Sequence, residues 1–280
     1  MTACGPSRKT TADPANDNWQ RQPLSIDGKD NDWIKPLSWS IASEKINYSV
    51  TNDDQYLYIL LETKSPQEQQ KIIQGGMTVW VNTKADKNES GAVGIGYPLD
   101  VRVDRNRQLM EEAQPDRYKN DNNKPITLED KKDYALYGFS QDSTGIYSYG
   151  DDSNPQGVKM RMDFNNDGDL IYEAAIPLQT LYPNHKASAS YAANSVAVGI
   201  FLEGLPPDAN VPRGGGGGPE IGVGGGVGFG SFGSGGGIGI SIGSGGLIGG
   251  GGGRRKLYKP TQSWQVVQLA RGTGGSGKPF

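Results

Sequence analysis

Five tryptophans and thirteen tyrosines stand in a chain of 280 residues that holds a single His and a single Cys. That inventory favours recognition by aromatic surfaces over nucleophilic or metal chemistry. A flat ring can stack on a sugar face while a few polar groups fix its hydroxyls. Trp39, in LSWSIAS, and Trp80, in MTVWVN, are the candidate platforms, with core or sheet packing as the competing role for each. Trp33 follows an acidic turn and Trp264 sits in the last strand, so both are assigned to packing. Trp19 is expected to pin a polar leader to the domain.

Other chemistries find little support. His185 lies in the polar stretch YPNHK, without a GxSxG elbow or a second His to work with. Glu62, Glu173 and Glu203 lie on or beside predicted strands. A carboxylate pair at the right separation could cleave a glycosidic bond, but acids at strand ends are usually surface groups, and the chain is read as non-catalytic. The run DFNNDGD places Asp163, Asn165, Asp167 and Asp169 at alternate positions with Gly168 sixth, like the first half of a calcium loop. Position twelve is Ala174, with Glu173 one place early, so a hairpin turn competes with a weak calcium site. No cofactor is expected.

The elements that must position the aromatics read as strands. Residues 75–98 give a hairpin: Met77, Val79 and Val81 alternate with Thr78, Trp80 and Asn82, then a charged turn leads to GAVGIGYP. Ile46, Tyr48 and Val50 alternate with polar residues, and YLYILLE is apolar on both faces. Further strands are expected over 135–139, 143–149, 158–164, 170–176, 196–205 and 263–270, and a short one at Leu24 to Ile26. SPQE signals a helix from Pro66 to about Gln74, with Ser65 as N-cap and Glu68 completing a capping box. The charged stretch 99–133 reads as solvated loop with short helical turns near 105–113 and 127–130. These patterns imply an all-β fold: one antiparallel β-sandwich spanning 23–271, with one or two short helices.

Residues 214–253 contain 24 glycines in 40 positions, dotted with Ile, Val, Phe and Leu. Either a mobile insertion or a glycine-rich hairpin fits this composition. No P-loop is spelled there. The net charge of −3 with interspersed signs argues against nucleic acid as a partner. No apolar run approaches the roughly 20 residues of a membrane-spanning helix. Residues 1–22 instead suggest a tether: small residues precede Cys4, and a Pro-, Asp- and Asn-rich linker follows. Residues 272–280 form a tail.

The ordered series IDGKDNDW, NDDQYLYILLET, a Gln-rich helix, GGMTVWVNTKADK and GIGYP, then YEAAIPLQTL and VAVGIFLEGL, resembles bacterial lipoproteins of the Bacteroidetes type. Those are similar in turn to family-nine carbohydrate-binding modules and the wider DOMON-like sandwiches. The resemblance implies a jelly-roll type sandwich lipidated at Cys4, anchored to an outer membrane and contacting a glycan or another envelope component. A structural or assembly role through the glycine-rich insertion is the alternative.

Overall fold

The computed structural model describes residues 18–99, 128, 132–139, 144–148, 154–184, 194–205 and 257–271. Cys4, the 105–113 helix, His185 and the glycine-rich insertion lie outside these residues. In chain order the strands are β1 (Trp39–Ile41), β2 (Ile46–Asn52), β3 (Tyr56–Thr63), β4 (Met77–Asn82), β5 (Val93–Gly96), β6 (Asp133–Tyr137), β7 (Gly145–Ser148), β8 (Lys159–Phe164), β9 (Leu170–Pro177), β10 (Ser195–Leu202) and β11 (Thr261–Gln268). Helix α1 (Pro66–Gly75) joins β3 to β4, and α2 (Leu178–Leu181) is a single turn after β9.

These strands form two antiparallel sheets, one of order β1-β2-β3-β9-β8 and one of order β11-β10-β4-β5-β6-β7. The period-two patterns supply their facing sides. Tyr48, Val50, Leu57, Ile59, Leu61, Tyr172 and Ile176 from the five-stranded sheet meet Val79, Val81, Ile95, Leu136, Val198 and Ile200 from the six-stranded one in a single buried core. Burying each aliphatic side chain contributes roughly 1.5–3 kcal/mol relative to exposure. The protein is thus an all-β sandwich.

The structure departs from the sequence reading in three places. Leu24 to Ile26 is irregular chain rather than a strand. Residues 24–37 lie over the outer face of the five-stranded sheet, where Leu24 and Trp33 pack on Tyr58, Leu60, Ile171 and Ala175. That cover explains why β3 and β9 are apolar on both faces. Trp39 belongs to a strand the sequence did not show, a three-residue edge element paired to β2. Ser65 is the N-cap residue of α1 but makes no side-chain cap bond. Its backbone N–H donates to Thr63 Oγ1, the place a capping-box Glu68 would take, and its carbonyl accepts the first helical bond, from Gln69 N–H.

One charged pair links the sheets. Lys71 of α1, with no exposed side-chain surface, reaches Glu44 beside β2 at 3.3 Å and donates to Thr261 Oγ1 of β11 at 2.9 Å. The two carboxylate and ammonium groups give up water together and need each other. Glu44→Gln is therefore expected to lower unfolding free energy by roughly 3–5 kcal/mol, because it strands a buried cation. The double variant Glu44→Leu with Lys71→Met is expected to lie much closer to wild type. Urea denaturation midpoints of the three proteins check this.

Candidate functional site

The outer face of the six-stranded sheet is built from the residues that alternate with its core. In β4 these are Thr78, Trp80 and Asn82. Pairing aligns Trp264 of β11 with Gly199 of β10, Gly199 with Trp80, Trp80 with Gly94 of β5, and Gly94 with Tyr137 of β6. One row across five strands therefore reads Trp, Gly, Trp, Gly, Tyr. Directly opposed residues share a face of the sheet, so all five belong to one surface.

The glycines let the rings lie down. A Cβ on Gly199 would stand 2.7 Å from the Trp264 indole, one on Gly94 2.6 Å from Trp80, and one on Gly96 2.7 Å from Tyr137. No real side chain tolerates such contacts, so each ring occupies the volume the neighbouring glycine leaves empty. Trp80 and Tyr137 have centroids 5.6 Å apart with planes inclined by 32°. Trp264 and Tyr137 are half-buried, whereas Trp80 is only 7% exposed. Its indole Nε1 is buried without a hydrogen-bond acceptor among the described residues. An unanswered buried donor costs about 1–3 kcal/mol, and buried donors almost always find partners.

The polar neighbours are committed. Asn82, fully buried, donates to the carbonyls of Asn88 and Ser90 and accepts from Lys84 N–H, which shapes the turn between β4 and β5. Ser148 of β7 donates to Asp133 of β6.

The two tryptophans singled out from sequence are not brought together. Trp39 stacks on Tyr48 at 5.7 Å on the edge of the five-stranded sheet and packs against the core. Trp80 belongs to the other sheet's outer face. Trp264, assigned to packing, proves to be the third member of the aromatic row. Its signal was the Gly199 it covers, visible only once β10 and β11 are in register.

The 163–169 segment is a hairpin turn held by its own side chain. Asn165 Oδ1 accepts from the backbone N–H groups of Asp167 and Asp169. Asp163 faces Lys29 at 3.6 Å and Asp169 faces Lys64 at 3.1 Å, while Asp167 sits in the exposed turn. Among the described residues no group of three or more acidic, His or Cys side chains is gathered to hold a metal. The candidate calcium ligands are thus spread over two lysines and a turn.

Of the acids expected at the surface, Glu62 and Glu173 are buried and Glu203 is half-buried. Glu62 is 5% exposed, paired with Lys35 at 2.7 Å, and Lys35 also bonds Asp30. Glu173 has no exposure and accepts three bonds: Trp33 Nε1 at 2.7 Å, Gly28 N–H at 2.7 Å and Asp27 N–H at 3.0 Å. This carboxyl fastens the 24–37 cover to β9. Burial raises its pKa from 4.5 to about 7, against the opposing pull of the three donors.

Because the folded group holds its proton more tightly than the unfolded one, its contribution to stability is complete below pH 4.5 and declines as pH rises toward about 7. Glu173→Gln is expected to abolish that slope. It should also lower stability at every pH, since the amide NH₂ confronts N–H donors. Chemical denaturation across this pH range checks both.

No protein-family model and no curated protein matches the chain. Among solved structures, the chain is similar to a family 9 carbohydrate-binding module from Caldicellulosiruptor kristjanssonii in complex with cellotriose. That match has 12% identity and a TM-score of 0.31, covering 66% of this chain and 73% of that one. A second structure, of a module of that family from the same organism in complex with glucose, matches at 11% identity and a TM-score of 0.31, covering 65% and 74%.

Proposed function

We propose that the protein is a non-catalytic module that binds a glycan on the outer face of its six-stranded sheet, over Trp264, Trp80 and Tyr137. The observation that carries this is the Trp-Gly-Trp-Gly-Tyr row, whose two end rings, Trp264 and Tyr137, are half-buried. Rings laid on glycines offer apolar faces to the C–H faces of a pyranose. The family resemblance read from the sequence supports the same ligand class. Trp39, on the other sheet, has no part in this surface.

A lipid anchor at Cys4 completes the proposal. Cys4 is the chain's single Cys, preceded by small residues and followed by a polar tether, which supports attachment at an outer membrane with the domain held away from it. Cys4→Ser, in cells of the source type, is expected to move the protein from the membrane pellet to the soluble fraction, and an unchanged distribution would refute the anchor.

Trp264→Ala tests the site itself. It removes the half-buried ring that lies over Gly199. Glycan affinity is expected to fall about two- to tenfold, the worth of one aromatic contact. Glycan-array screening followed by titration calorimetry, with thermal melts alongside, provides the measurement. A wild-type protein blind to every glycan would overturn the reading.

A further inference from the structure

We propose that the free edge of β11 is a self-association site, which pairs antiparallel with the same edge of a second copy of this chain so that the two six-stranded sheets run on as one. This goes beyond the glycan reading and does not rest on it.

A sheet edge presents a row of unpaired N–H and C=O groups, and folds blunt such rows with short strands, charges, proline or bulges. The two sheets end on β1 and β8, and on β7 and β11. β1 has three residues, β7 has four, and β8 carries exposed Lys159 and Arg161 along its length. β11 has none of these devices. Its eight residues, TQSWQVVQ, hold no charge and no proline, and its pairing with β10 runs unbroken from Thr261 to Gln268. No described strand lies beyond it.

One bond tells which backbone groups face outward. Leu269 N–H donates to the Asn194 carbonyl at 2.9 Å, in the register of the two strands. Bonded and non-bonded pairs alternate along an antiparallel ladder, so Thr261, Ser263, Gln265 and Val267 bond to β10, while Gln262, Trp264, Val266 and Gln268 turn N–H and C=O to the free edge. The Val266 carbonyl is met there by the Gln265 side-chain amide at 2.9 Å, where a neighbouring strand would donate. A twofold relation keeps the outer faces of both copies on one side, and opposed residues then share a face, which restricts pairing to registers centred on a residue. Centred on Gln265, Gln262 meets Gln268 of the second copy and Trp264 meets its Val266, so every outward residue exchanges both bonds. Centred on Trp264, Gln268 would face Pro260, which has no N–H. Centred on Val266, Gln262 would face Ala270, whose N–H and carbonyl are both bonded to Asn52. The strand is thus its own complement in one register, neutral residues opposite neutral ones, and this selects a second copy as the occupant. Pairing of one edge with itself closes at a dimer.

Sedimentation velocity of the whole protein from about 1 μM to about 1 mM tests the proposal. One strand edge is small beside the roughly 1,200–2,000 Å² of stable interfaces, so the wild type is expected to pass reversibly from monomer to dimer within that range. Gln262 and Gln268 are both exposed, and they oppose each other only in the register centred on Gln265. Gln262→Lys combined with Gln268→Lys sets like charges opposite each other twice and is expected to weaken the dimer about two- to tenfold. Gln262→Lys combined with Gln268→Glu is expected to strengthen it by a similar factor, a gain that high salt removes. Removing residues 214–253 should leave the association unchanged. A wild type that stays monomeric throughout, a dimer indifferent to both charge pairs, or one lost with residues 214–253 while the domain still melts cooperatively would overturn the proposal.

Discussion

The register of β4 between β10 and β5 is the constraint on which the rest of the molecule depends. Val79 and Val81 are almost wholly removed from water against Val198, Ile200 and Ile95. A slip of one residue would drive Trp80 and Asn82 into the core and expose the valines, an exchange no sandwich of this size survives. Because the core fixes the register, it also fixes what happens on the reverse side. Gly199 and Gly94 have no freedom to be anywhere except beside Trp80. The aromatic row is thus a consequence of packing on the face it does not occupy.

The two outer faces solve opposite problems. On the five-stranded sheet the chain covers itself: residues 24–37 bury Tyr58, Leu60 and Ile171, and Glu173 meets the cover's indole and two backbone N–H groups. The donors that approach this carboxyl belong to the protein, so its hydrogen bonding is complete within the fold. On the six-stranded sheet the situation is reversed. Rings occupy the surface, and a buried indole N–H has no acceptor among the described residues. A polar group answered within the chain stabilises, whereas one buried and left unanswered costs stability.

Glycine has a specific use in this arrangement. Glycine inside a strand lowers its stability, since it packs nothing and gives up more conformational freedom than other residues. Gly94, Gly96 and Gly199 are nevertheless covered, each by a ring from the neighbouring strand. The large side chain restores the burial that the missing one forfeits, and the ring gains a bed on which it lies flat. Trp80 and Tyr137, over Gly94 and Gly96 of the same strand, stand with planes inclined by 32°.

Sequence by itself determined the all-β class, most strand positions and the both-face burial of β3, because alternation with period two is a local property of the chain. It placed Trp80 on a strand and raised it as a ligand platform for the same reason. The meaning of that tryptophan lay beyond it. Trp264 and Gly199 are 65 positions apart in the chain, and Trp80 and Gly199 further still, so their alignment exists only after non-local strands pair. The same holds for Glu173, whose partners Asp27, Gly28 and Trp33 come from the far end of the chain. Periodicity tells which side of a strand a residue takes. Only tertiary pairing decides what stands next to it, and that neighbour is what makes Trp80 part of an aromatic row and Trp39 an edge residue packed on the core.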